Sequence, residues 1–231
     1  QPSVQALSYH YEQAIRLVER GLELAAEGSG KIQLTCMKGQ LLHDSGSIEL
    51  SIDAYNVALE IAEDDIGRCR AWLGLAAGLR IADRYDEALE ILAKAEAAAS
   101  ENDLVRESAE IHHIRGNLYF PMGRFEDCAA EHEKSLEYAK QAGSAEAEAN
   151  ALGGLADASY IAGRMATAHQ YFGRCVAVAS QNGFGGIEAV NGSMVGFTRM
   201  YLNQIGEALE NGLTTVAAAK KIGHQRAEML G

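Results

Sequence analysis

Small and apolar residues recur along this chain at helical spacing, in blocks that repeat. Aligned on a short polar turn, "DRYDEALEILAKAEAAA" from Asp83, "GRFEDCAAEHEKSLEYA" from Gly123, "GRMATAHQYFGRCVAVA" from Gly163 and "NQIGEALENGLTTVAAA" from Asn203 follow one another every 40 residues. Steps of 37 residues back from Asp83 reach "GSIELSIDAYNVALEIA" from Gly46 and "YHYEQAIRLVERGLELA" from Tyr9. The pattern predicts six copies of the second helix of a helix-turn-helix unit, five of them preceded by a matching first helix.

Small residues hold fixed places in this frame. Before the turns lie Gly39, Ala76, Gly116, Ala156 and Gly196; after them lie Ala14, Ser51, Ala88, Cys128, Ala168 and Ala208; one further heptad on come Gly21, Ala58, Ala95, Ser135, Cys175 and Thr215. A helical glycine is unfavourable by roughly 1 kcal/mol against alanine, so its recurrence predicts close helix crossings. Few segments alternate with period two, and only 2 prolines occur in 231 residues. The fold expected is all-α: about five and a half helix-turn-helix repeats, stacked into an α-α superhelix as a single solenoid domain over 1–231.

This pattern resembles the tetratricopeptide repeat. The second unit carries the fullest match, with Trp72, Leu75, Ala76, Tyr85, Ala88 and Ala95 at signature spacing, and the third adds Gly116 and Tyr119. The period departs from the usual ~34 residues, and the proline that commonly ends the second helix is missing. The surplus is expected between units, around "AEGSG", "SEND", "QAGS" and "QNGFGG". The chain opens on a second helix and closes on "GHQRAEMLG", which reads as the start of another first helix, so a segment of a longer array is expected. Exposed repeat ends would then allow self-association.

Charge narrows the function classes. Lys plus Arg is 20 and Asp plus Glu is 32, a net charge of −12, which opposes binding to nucleic acid or an anionic membrane. No apolar run approaches the ~18 residues of a membrane span, and the N-terminus lacks the pattern of a signal peptide. Cys36, Cys69, Cys128 and Cys175 lack metal-site spacing and are expected to be reduced thiols in a cytoplasmic protein.

Candidate chemistry is thin. Adjacent helical residues point about 100° apart, so His112 and His113 cannot chelate one ion, even with His132 or Glu110 near. His112 takes the packing place that Trp72 holds. "AAEGSGKIQ" has Ala25 for the first phosphate-loop glycine and Ile32 for the magnesium-binding hydroxyl, and "NGFGGIE" follows no strand; both read as turns. The helical carboxylates (Glu60, Glu63, Asp64 and Asp65 among them) read as solvated faces. Pro121 is expected in the last turn of a first helix, where it removes one hydrogen bond. No cofactor, metal or catalytic set is expected.

The resemblance implies that the first helices line a concave binding groove. The matching positions are Gln33, Cys36, Gln40 and His43; Arg70, Leu73, Ala77 and Arg80; His113, Asn117 and Phe120; Asn150, Asp157 and Tyr160; and Ser193, Phe197, Met200 and Tyr201. The lysine of the family's basic clamp is replaced by Cys36 and His113. A surface grading from polar and basic to aromatic suits an extended peptide with an acidic portion and apolar anchors, or a neighbouring domain of the same chain. The runs "RGNLYFPMGRFEDCAAEHEKSLEYAKQAGSAEAEANALGGLADASYIAGRMATAHQYFGRCV" and "MVGFTRMYLNQIGEALENGLTTVAAAKKIGHQRAEML" further resemble the C-terminal repeat region of bacterial signalling proteins. There a class III nucleotide cyclase domain precedes a P-loop ATPase domain. That resemblance implies a non-catalytic sensor or assembly arm; the alternatives are a free-standing adaptor and, least supported, an enzyme in its own right.

Overall fold

The computed structural model describes residues 4–25 and 28–222. The closing segment "GHQRAEMLG" and part of "AEGSG" lie outside them. Among the described residues there are 11 α-helices and no strand: α1 (Val4–Leu24), α2 (Ser29–Asp44), α3 (Ile48–Ile61), α4 (Asp65–Ile81), α5 (Tyr85–Glu101), α6 (Val105–Tyr119), α7 (Phe125–Gln141), α8 (Ala145–Ile161), α9 (Met165–Asn182), α10 (Gly185–Tyr201) and α11 (Ile205–Ile222). Even-numbered helices are first helices and odd-numbered ones second helices. α1 runs straight through Tyr9, the place where the other units turn.

The residues on which the repeat aligns are the residues that end the first helices. Gly46, Asp83, Gly123, Gly163 and Asn203 all adopt positive φ, between 58° and 83°. In each case the next N–H reaches back to a carbonyl five residues earlier, as in Arg84 to Leu79 and Arg164 to Ser159, both 2.9 Å. This left-handed cap satisfies helix carbonyls that would otherwise lack a donor. The same closure recurs between units at Asp103, Gly143 and Gly183. The α3–α4 connection differs: there the Asp64 carboxylate caps α4 by accepting from Gly67 N–H.

The step from a 37- to a 40-residue period goes with longer second helices, whose last residues reach into the strings expected to carry the surplus, "SEND", "QAGS" and "QNGFGG". α3 has 14 residues, whereas α5 and α7 have 17 and α9 has 18. Pro121 also stands differently from expectation. α6 ends at Tyr119, and Pro121 lies in the turn beyond it. Proline disfavours helical geometry in the residue before it, so the helix stops early instead of carrying a damaged last turn.

Compactness divides the chain within α6, into residues 2–114 and 115–231. In 2–114 the small frame positions Ser51, Ala58, Ala76, Ala88 and Ala95 are all fully buried. Ser51 Oγ donates to Gly39 O at 2.8 Å, so even the polar member has an acceptor. The Tyr55 ring of α3 lies between Gly39 of α2 and Gly74 of α4; a Cβ added to either glycine would approach within 2.8 Å and 2.0 Å of it.

In 115–231 the same place on α7 holds His132, 1% exposed, between Gly116 of α6 and Gly154 of α8. On α9 it holds Phe172, which packs fully buried against Ala156, Ala168 and Val195. Burying such a ring contributes roughly 2 kcal/mol. Cys175 also sits at a crossing, with its Sγ donating to Ala149 O at 3.1 Å. The buried Glu131 carboxylate is matched by Arg115 at 3.2 Å and Lys134 at 2.8 Å.

Candidate interaction faces

In residues 2–114 the first helices α2, α4 and α6 bring Gln33, Gln40 and Arg70 to exposed positions and His43, Arg80 and His113 to half-buried ones. Gln40 is engaged: its amide donates to Asp44 at 2.8 Å, and its carbonyl accepts from the Tyr55 hydroxyl at 3.4 Å. His43 Nδ1 lies 3.5 Å from Asp44. Arg70 does not stand as an isolated cation, because its Nε donates to Glu107 Oε1 at 3.3 Å. Arg80 differs. It is half-buried, and no described group accepts from its guanidinium; burial lowers its pKa below the usual guanidinium value. Burial, and after it the nearby Arg80 charge, pulls His113 from 6.5 down to about 4, so it is neutral near pH 7.

Two cavities open on these helices and share Cys36 and Arg70. The larger, about 550 Å³, is lined by residues including Met37, Tyr55, Leu73, Arg106 and Glu107. The smaller, about 240 Å³, is reached by Gln33, Asp64 and Ile66. Arg106, Glu107 and Glu110 had no place in the sequence-based groove. Glu110 was nevertheless detectable, since it stands thirteen residues before its turn, as Gln33, Arg70 and Asn150 do.

In residues 115–231, α6, α8 and α10 carry Asn117, Asn150 and Phe197 half-buried and Asp157 exposed. Phe120, in the turn after α6, meets Phe125 edge-on at 5.9 Å between centroids. Tyr160 of α8 meets Tyr201 of α10 in the same way at 6.1 Å, and Tyr201 remains 64% exposed. Burial, and then the hydrogen bond to Tyr201, raises the Tyr160 pKa. Ser193 is not presented to solvent: it is 3% exposed and its hydroxyl donates to Ala189 O at 3.2 Å.

The four thiols are poor nucleophiles. Burial pushes the thiols of Cys36, Cys69 and Cys128 up to about 11 and that of Cys175 to about 12, so the reactive thiolate is scarce near neutral pH. His112 is 5% exposed, in keeping with a packing place, and its Nε2 lies 3.9 Å from Glu96. Among the described residues no three His, Cys, Asp or Glu side chains are grouped to hold a metal ion. No described helix is long and apolar enough to cross a membrane.

Fold and faces together define a helical-repeat scaffold of the tetratricopeptide type. Tetratricopeptide repeat models match residues 32–65 and 107–181. Among curated proteins, none matches the chain in sequence. Among solved structures, a Rap protein complexed with competence and sporulation factor aligns with a TM-score of 0.80 at 16% identity, covering 94% of this chain. Aspartyl phosphate phosphatase F from Bacillus subtilis aligns with a TM-score of 0.71 at 13% identity, covering 87% of this chain. The chain spans 61% and 56% of those two proteins. BtubC from P. vanneervenii aligns with a TM-score of 0.70 at 14% identity, over 97% of this chain and 94% of its own. At such identities the likeness is one of fold.

Proposed function

We propose that the chain is a non-catalytic scaffold that holds protein or peptide segments on its first-helix faces, as the sensor or assembly arm of a cytoplasmic bacterial signalling protein. The observation that carries this reading is the contrast between helix sets. The second helices place Tyr55, Leu92, His132 and Phe172 wholly in the core, whereas the first helices keep Arg70, Arg80, Asp157 and Tyr201 at or near the surface. Three of those four side chains carry charge, and the fourth, Tyr201, is 64% exposed. The face of α2, α4 and α6 favours acidic segments through Arg80, and the face of α8 and α10 favours apolar anchors through Tyr160, Phe197 and Tyr201. The Rap neighbour was solved with a bound factor, which is consistent with this use of the fold. The same faces also suit a free-standing adaptor or a contact with another domain of the parent chain.

Peptide display against the 231-residue chain, followed by hydrogen exchange on the selected complexes, tests the reading. Protection is expected on the first helices, and Arg70→Glu with Arg80→Glu is expected to abolish binding of acidic peptides while the circular dichroism spectrum stays unchanged. Protection confined to α3, α5, α7 and α9, or equal affinity in the double variant, would sink it.

A further inference from the structure

We infer that the cavity of about 550 Å³ on α2, α4 and α6 is a binding pocket for a small amphipathic carboxylate, with its headgroup between Arg70 and Arg106. The donors come first. Arg70 engages Glu107 through Nε alone, and no described group accepts from its Nη1 and Nη2. Glu107 is itself only 12% exposed and engages the guanidinium at Nε, while the Arg70 side chain, 54% exposed, lines the cavity. Arg106, exposed on the first turn of α6, has no described acceptor either. Two guanidinium groups with unused N–H donors thus line one cavity, and each offers a planar fork to an oxyanion.

The rest of the wall sets the ligand's body and charge. Leu73 is 3% exposed and Met37 53%, giving an apolar floor and rim beside the Tyr55 ring. The Tyr55 hydroxyl donates its one proton to Gln40, so at that end it offers an incoming carboxylate no donor. Glu107 and Glu110 offset the two arginines, so the lining is neutral in sum and a dianion such as a phosphate monoester gains no net attraction to compensate its larger desolvation cost. The volume falls within the ~300–1,000 Å³ of small-molecule sites and far exceeds one acidic side chain. This pocket goes beyond peptide docking: it would let a small molecule report on the same helices.

Isothermal titration and amide NMR on the whole chain test the inference, with octanoate, methyl octanoate and octyl phosphate as probes. The tripeptide acetyl-Gly-Glu-Gly-amide and its Gln analogue distinguish a free acid from a peptide side chain as the source of the carboxylate. Octanoate is expected to bind more tightly than octyl phosphate and to shift resonances of α2, α4 and α6. Arg70→Ala and Arg106→Ala are each expected to weaken it at least about tenfold. Arg84→Ala, which removes a cation outside the cavity, should leave it unchanged. If the Glu tripeptide binds and octanoate does not, the small-molecule reading is overturned in favour of a peptide side chain. Methyl octanoate binding as well as octanoate, full affinity in the Arg70→Ala, Arg106→Ala double variant, or no binding by either carboxylate would overturn it. None of these outcomes depends on whether display selects a longer peptide.

Discussion

The packing of His132 between two glycines makes Gly154→Ala a sharp test of the repeat geometry. A methyl group at Gly154 would lie 2.3 Å from His132 Cε1, about 1.1 Å inside the 3.4 Å edge of ordinary contact. The ring cannot step back, because Gly116 of α6 stands on its other side and a Cβ there would be 2.7 Å from Nε2. Overpacking of this kind costs about 1–3 kcal/mol. Helix propensity alone would favour alanine by about 1 kcal/mol, leaving a net loss of up to about 2 kcal/mol. In a His132→Ala background the clash is gone, and the same substitution should stabilise by up to about 1 kcal/mol. The two backgrounds therefore differ in sign, with a coupling of about 2 kcal/mol. Urea unfolding followed by circular dichroism reads the difference. Gly173 of α9, with nothing within 4 Å of its Cβ position, is the control, and Gly173→Ala should stabilise in both backgrounds. A Gly154→Ala variant that stabilises the wild type, or that loses equally in both backgrounds, would refute the crossing.

Two further outcomes follow from backbone and charge. Gly163→Ala, at φ 73° with open space around it, should lose about 1 kcal/mol through backbone conformation alone, and Asp103→Gly, at φ 51°, should gain up to about 1 kcal/mol; matched urea midpoints for variants and wild type would contradict both. Between about pH 6.5 and 4 the unfolded chain protonates His113 while the folded chain does not, so stability falls as pH drops through that window. His113→Gln should make the slope of stability against pH shallower there, and an unchanged slope would remove burial of His113 as the cause.

Much of the fold was legible because the features that repeat are the ones with strict steric demands. The residues that align the units adopt left-handed caps, and Ser51, Ala88, Cys128 and Ala168, singled out for their size, are all buried at crossings. The central place nine residues after each turn escaped notice because its chemistry varies: Tyr55, Leu92, His132 and Phe172 share burial but no residue type. The glycines beside Tyr55 and His132 carry its signal instead. The interaction faces were less legible for a related reason. Arg70 and Ser193 occupy register places that predict exposure, yet what each side chain does depends on Glu107 in one case and on the Ala189 carbonyl in the other. Such partners lie on a neighbouring helix or one turn away, and register alone does not reveal them.

The varied central residues have a consequence for how the chain finds its own order. Units of nearly equal length and outline are prone to exchange, either during folding or when genes recombine at matching turns. Here each unit carries its own key. Tyr55 fits a glycine pair, His132 fits another, and Phe172 fits the alanine-lined site beside Val195. A second helix placed against the wrong neighbour would leave a ring without room or a hollow without a ring. The stack is thus proofread locally, one crossing at a time, and its units are similar without being interchangeable.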